Sequence, residues 1–289
     1  MPIVSIIVPN YNHARHLEKR LESIIVQNFQ DFELILLDDA STDNSLSILG
    51  EYRHHHKVSH FLVNEINSGS PFRQWKKGID LAQGKYIWIA ESDDWADDRY
   101  LEEMICLLEK YPQSVLSYCQ STVRSEDGDF LHENLWWTDD LDSSRWRGSF
   151  NNSGRDEIEN YLSIKNTIPN ASAVVFKKET LNWIDWESDE LNMLGDWLLW
   201  IKLLQHGNIS YTPECLNHFR FSNNNTRRYD TFSKKLTHAT EELFILGYLR
   251  SNKLAANTAF LRVIRLQLKR IILQLLGAKK PESKTRKYV

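Results

Sequence analysis

The stretch "YIWIAESDDW", residues 86–95, is an apolar run that ends in three carboxylates, Glu91, Asp93 and Asp94. Carboxylates repel one another and are costly to crowd together away from water. A divalent cation would relieve that repulsion. Mg2+ and Mn2+ favour carboxylate and phosphate oxygens, taking few protein ligands and letting the substrate complete the shell. The competing reading is a solvated acidic loop, helped by "ADD" just after it. Asp38 and Asp39 close a second apolar run, "FELILL". Either could accept hydrogen bonds from a base or a ribose, although an Asp-Ala-Ser-Thr-Asp segment also makes turns and caps. Asp196 opens "GDWLLWIKLL". There it is either a carboxylate favoured by the helix dipole or a general base held on a rigid helix end. Trp197 and Trp200 read as core.

These acids need a frame. "IVSIIV" (3–8), "FELILL" (32–37), "VSHFLVN" (58–64) and "KYIWIA" (85–90) read as strands, the first two buried on both faces. Between them, Leu17, Leu21, Ile24 and Ile25 mark one amphipathic helix. A second helix, capped by Asp43 or a neighbour, runs through Leu46, Ile48 and Leu49. "SPFRQWKKGIDLAQG" holds a third, closed by Gly84. The order β-α-β-α-β-α-β predicts an α/β fold with a doubly wound sheet. In such sheets ligands bind beyond the carboxyl ends of the strands, where "PNYN", "DDAS" and "ESDD" lie. No GxGxxG follows the first strand and no GxxxxGK[ST] occurs, which excludes the dinucleotide fingerprint and the P-loop.

Beyond residue 116 the pattern loosens. "SVLSYCQSTV" reads as a strand, 131–155 as a long polar loop with Trp136, Trp137 and Trp146, and "VVF" within "TIPNASAVVFKKETL" as a strand. A helix is predicted from Asp196 to Gln205, then two strands, "NISYTP" and "CLNHFRFS". The 289 residues, 42% hydrophobic, suffice for one large domain or two small ones. Three scattered cysteines without CxxC spacing fit a reducing compartment and argue against a zinc site. Neither a signal peptide nor a spanning helix is expected, so the reading is cytoplasmic.

Taken together and in order, these motifs resemble the family 2 glycosyltransferases. "VSIIVPNYNHARHLEKRLESIIVQNFQDFELILLDDASTDNS", "NSGSPFRQWKKGIDLAQGKYIWIAESDDW", "GDWLLWIKLL" and "LNHFRFSNNNTR" carry the resemblance, over about residues 3–228. It implies a GT-A-type fold, a mixed sheet flanked by helices, that transfers a sugar from a nucleotide diphosphate to a hydroxyl with inversion. It implies a nucleotide-binding half, 1–115, an acceptor half, 116–228, and a helical C-terminal extension, 229–289. Pro9, Tyr11 and Asn12 match the family's "PxYN", with Tyr11 near the base. Asp39 matches the base-binding acid, and Ser41 and Asn67 join the nucleotide set. Asp93 and Asp94 match the acids that touch the ribose and a diphosphate-bound Mn2+ or Mg2+. Asp196 matches the catalytic base, with Glu190 the next candidate. Two positions depart from the pattern. Glu91 stands for the first acid of "DxDD", and the "RxH" histidine falls at Ser222, after Arg220. Either fewer protein groups hold the metal, or His218 reaches in.

The implied partners are a nucleotide-sugar donor, with UDP the expected nucleotide, and a saccharide or lipid-linked acceptor in cell-surface polysaccharide or glycolipid synthesis; no nucleic acid is expected. A sugar nucleotidyltransferase is the competing enzyme class, but "PNYNHARH" lacks its glycine- and lysine-rich loop. A nucleotide-sugar binding module without activity is the non-enzymatic alternative, motivated by Glu91 and Ser222. The chain's end differs in charge from its body. Residues 231–289 carry 13 basic and 3 acidic residues within a net charge of −4. In 258–276, Arg262, Arg265 and Lys269 share one helical stripe, and Leu261, Ile264, Leu268, Ile271 and Leu275 another. That pattern suits peripheral contact with the inner membrane face, or a helix packed on the body with its basic face in water.

Overall fold

The strands β1 (Val4–Asn10) and β2 (Phe32–Asp38) are buried at every position. A strand enclosed on both faces belongs in a sheet covered by helices on both sides. That is the arrangement found in the computed structural model, which describes residues 1–168, 170–185, 191–221 and 231–254, with residues 268 and 272. Ser222, Glu190 and all but two residues of 258–276 lie outside the described residues.

The first half follows the expected alternation: β1, α1 (Ala14–Ile25), β2, α2 (Ser45–Tyr52), β3 (Val58–Val63), α3 (Pro71–Leu81) and β4 (Tyr86–Ile89). A short β5 (Trp95–Ala96), α4 (Tyr100–Lys110), β6 (Ser114–Arg124), β7 (Phe130–Glu133), β8 (Phe150–Ser153), α5 (Gly154–Glu157), β9 (Val174–Lys177), α6 (Gly195–Leu204), β10 (Asn208–Arg220) and α7 (Phe232–Ser251) follow. The order across the sheet is β3-β2-β1-β4-β9-β6-β10-β5, with β7 on β6 and β8 on β10. The first four strands run parallel, and β9 is antiparallel to both β4 and β6. The sheet is therefore mixed.

Successive strand residues face opposite sides, and the core divides accordingly. Val4, Ile6, Val8, Leu34 and Leu36 pack with α1, α2 and α4 on one face. Ile7, Ile35 and Leu37 pack with α3 and α6 on the other. The second cluster also takes Ile245, Leu246 and Leu249 of α7, together with Leu254. The packing thus runs across the boundary expected after residue 228.

Three local expectations change. The two predicted strands "NISYTP" and "CLNHFRFS" are one strand, β10. Its register against β6 shifts between Thr212 and Cys215 and again before Asn217, and this irregularity accommodates Pro213, which cannot donate to a ladder. The predicted loop 131–155 contains part of β7 and all of β8, and Trp146 is core at 2% exposure, its Nε1 donating to Tyr118 Oη at 2.8 Å. Four-residue strands such as "FNNS" are too short and polar to show a period. Gly84 does not end α3, which stops at Leu81. It lies so close to β1 that a Cβ would sit 2.5 Å from the Ser5 amide nitrogen.

Candidate active site

Because β2, β1 and β4 are neighbours, the segments that follow them lie side by side at one edge of the sheet. The first two are tied together by their own side chains. Asn10 Nδ2 donates to Asp38 Oδ2 at 2.8 Å across the strand pair. Asp38 also accepts from the Ser41 amide and hydroxyl, at 2.8 and 2.7 Å. Ser41 Oγ in turn accepts from the Asn12 amide at 3.0 Å. Asn12 Oδ1 accepts from the Thr42 amide at 2.7 Å, and Asp43 accepts from the amides of Ala14 and Ser45, the first residues of α1 and α2. Two residues hold left-handed backbone here, Asn12 at φ 56° and Ala40 at φ 62°. Asn tolerates this region; for Ala it is a strained conformation that the surrounding bonds enforce. Pro9 lies buried in β1, and Tyr11 is left 44% exposed at the rim.

Asp39 is buried and heavily engaged. Oδ1 accepts from Asn64 Nδ2 at 2.5 Å, from the Ser68 amide at 2.9 Å and from Gln74 Nε2 at 2.8 Å, while Oδ2 accepts from Ser68 Oγ at 2.7 Å. Asn67 Nδ2 donates to the Asp39 carbonyl at 3.0 Å. Asp39 therefore fixes the 64–70 segment and the start of α3, with room on Oδ2 for a further donor.

The acid loop after β4 is arranged around two arginines. Arg20 is fully buried in α1, and its Nε donates to the Glu91 carbonyl at 2.9 Å. Arg220, at the end of β10, donates from its amide to Asp94 Oδ1 at 3.0 Å and from Nε to the Asp93 carbonyl at 2.9 Å. His13 Nδ1 lies 2.8 Å from Ser92 Oγ, which ties the loop to the start of α1. Glu91 is half-buried; its Oε1 accepts from Trp75 Nε1 at 2.7 Å, and its amide donates to Ser172 Oγ at 3.1 Å. Burial, then the neighbouring Asp93, pushes the Glu91 carboxyl up to about 8. Asp94 is raised by the same two causes, opposed by Arg20. Asp93 differs from both. It is half-buried, and its carboxylate accepts no hydrogen bond among the described residues.

Asp196 lies in the first turn of α6 and is half-buried. Its Oδ1 accepts from the Trp197 amide at 2.8 Å and its Oδ2 from Asn166 Nδ2 at 3.0 Å. The preceding Gly195 is pressed on Phe72 of α3; a Cβ there would meet the ring at 2.8 Å. The first turns of α3 thus reach all the candidate acids, through Gln74 to Asp39, Trp75 to Glu91 and Phe72 to the residue before Asp196.

A divalent ion fits what is present. Asp93 and Asp94 offer hard oxygen donors, one carboxylate is unpartnered, and no three His, Cys, Asp or Glu side chains among the described residues form a cage. That matches ions held by one or two carboxylates plus substrate phosphates. His218, the alternative ligand, has Nδ1 2.7 Å from Thr122 Oγ1 and its ring 5.1 Å from that of Trp95. Burial, then Arg124, lowers it to about 4, so it is neutral near pH 7. Sequence reasoning missed Arg20, Gln74, Trp75, Asn166 and Ser172. Arg20 left a signal: with Leu17, Leu21 and Ile24 it occupies the apolar face of α1, where a charge is out of place. The others became visible only with the fold.

Residues 5–179 match the family described as Glycosyl transferase family 2. The Bacillus subtilis protein TuaG, named as a teichuronic acid biosynthesis glycosyltransferase, is 27% identical over 231 residues, 77% of this chain and 81% of TuaG. A crystal structure of S. aureus TarS in complex with UDP-GlcNAc superposes with a TM-score of 0.63 at 19% identity, covering 83% of this chain and 66% of that one. A Pyrobaculum calidifontis mannosyltransferase in complex with GDP-Man and Mn2+ gives 0.60 at 14% identity, over 96% and 75%. At such identities the two structures speak for the fold.

Proposed function

Since the chain belongs to glycosyl transferase family 2 and has the GT-A fold of a glycosyltransferase, we propose that it moves a sugar from a UDP-sugar to a hydroxyl of a saccharide or lipid-linked acceptor, with inversion, in cell-surface polysaccharide synthesis. The printed names of its relatives support the pathway, and the UDP-GlcNAc seen in TarS supports the donor. One observation carries the reading: α3 gathers Asp39, Glu91 and the start of α6 around its N-terminal turns.

In this reading the nucleotide lies along the ends of β1, β2 and β4, touched by Pro9, Tyr11, Asn12, Asp39, Ser41, Asn67 and Asp93. Asp93 and Asp94 would hold Mn2+ or Mg2+, which when bound supplies positive charge against the departing diphosphate. Asp196 takes the proton from the acceptor hydroxyl as its oxygen attacks the anomeric carbon. Asn166 orients the carboxylate for that task by its bond to Oδ2.

The test is Asp196→Asn, assayed for turnover beside a melting curve. Loss of a general base costs about 10²–10⁴-fold in rate. Turnover should fall by that range with UDP affinity and melting temperature kept, because Asn is also accepted at a helix start. Full activity would move the base elsewhere. Asp93→Asn should weaken UDP binding in calorimetry with Mn2+ present; equal affinity with and without EDTA would sink the diphosphate site.

A further inference from the structure

The start of α6 has no side-chain cap of its own. Leu194 occupies the capping position and cannot accept a hydrogen bond through its side chain. The first amides of a helix are nonetheless obligatory donors. Here a residue from the far end of the chain supplies the acceptor. Glu241 of α7, 6% exposed, accepts from the amides of Asn192, Met193 and Leu194 at 2.8, 2.9 and 2.8 Å. A carboxylate gathering three consecutive amides just before a helix is favoured twice, by charge-assisted hydrogen bonds and by the helix dipole. Asp196 is two residues beyond the last of these amides. On its other flank Phe72 leaves no space at Gly195. The approach to α6 is therefore held between α3 and α7.

We propose that Glu241 is a positioning residue for Asp196: by holding residues 192–194 it sets where the first turn of α6 presents the carboxylate. This rests on Asp196 being the base. It gives α7, which lies beyond the family match, a part in the reaction. Burial of Ile245, Leu246 and Leu249 attaches α7 to the body; burial alone has no need of a carboxylate against three amides.

The test uses the full chain and four enzymes: wild type, Glu241→Gln, Asp196→Asn and the double variant. Gln keeps the length but brings an NH2 against N–H donors. Misplacing a catalytic group by about 1 Å can cost on the order of 10²-fold. Glu241→Gln should therefore lower kcat by about 10- to 100-fold, leave the donor KM within about twofold, and do nothing further in the Asp196→Asn background. Glu241→Asp, which keeps the charge, should recover part of the rate, and it serves as the reporter if the Gln variant does not fold. Wild-type kcat in both Glu241 variants overturns the proposal. So does a loss confined to KM, or an equal loss in both backgrounds. Wild-type turnover by Asp196→Asn would overturn the base assignment itself, and with it the role given to Glu241.

Discussion

Asp39 and Asp93 are both acids at strand ends, yet their surroundings assign them different work. Asp39 is fastened by four donors, whereas Asp93 is open. Hydrogen bonds to a charged group are each worth about 1.5–3 kcal/mol. Asp39→Asn should therefore lower the melting temperature of the ligand-free protein by several degrees, while Asp93→Asn leaves it unchanged; equal melting curves would mean that Asp39 does not hold its loop. Glu91 adds a pH signature. Its folded pKa of about 8 lies above the unfolded carboxylate value. Between about 4.5 and 8 the folded state thus keeps a proton that the unfolded state has lost. Stability from this group is full below that window and declines as pH rises through it. In EDTA, urea midpoints of the wild type should fall from pH 6 to pH 9, and Glu91→Gln should flatten that fall. His16 and His218, both lowered to about 4 chiefly by burial, act in the opposite direction. They destabilise the fold as pH drops from about 6.5 toward 4.

At the scale of elements, α3 decides the geometry. It begins at Pro71, whose fixed φ suits a first helical turn, and its first two turns touch each candidate segment. The Gly195–Phe72 approach is the tightest of these contacts, because the added carbon of Gly195→Ala would lie 2.8–2.9 Å from ring atoms. Overpacking of this kind costs about 1–3 kcal/mol. Gly195→Ala should lower both the melting temperature and turnover, and the space opened by Phe72→Leu in the same chain should restore part of each. A double variant no better than the single one would show that this contact does not set the position of α6.

For the whole molecule, the question is where the catalytic unit ends. Ile245 and Leu249 are fully buried in the cluster that contains Trp197 and Trp200. Truncating one such residue to Ala costs about 2–5 kcal/mol, comparable with the total stability of many domains. A chain ending at residue 230 should therefore lose its cooperative thermal transition. A sharp transition and full UDP affinity in that chain would make α7 an accessory. No described helix is long and apolar enough to cross a membrane.

The alternation of strands and helices through residue 90 was legible because buried strands and amphipathic helices write their periods directly into the order of residues. The strand-end acids were legible for a related reason: charge beside a buried run is costly, so its presence asks for a cause. The second half was harder to read. Short polar strands such as β8 carry no period, and β10 absorbs a proline through an irregularity that its partner β6 determines. The tertiary structure alone decided which acids are occupied and which are open. It also brought Arg20 beneath Glu91, Trp75 onto Glu91 and Glu241 onto the approach to α6. These partners are 71, 16 and 47 residues apart. Local periodicity reports which face of an element is buried, but not which distant side chain will meet it there.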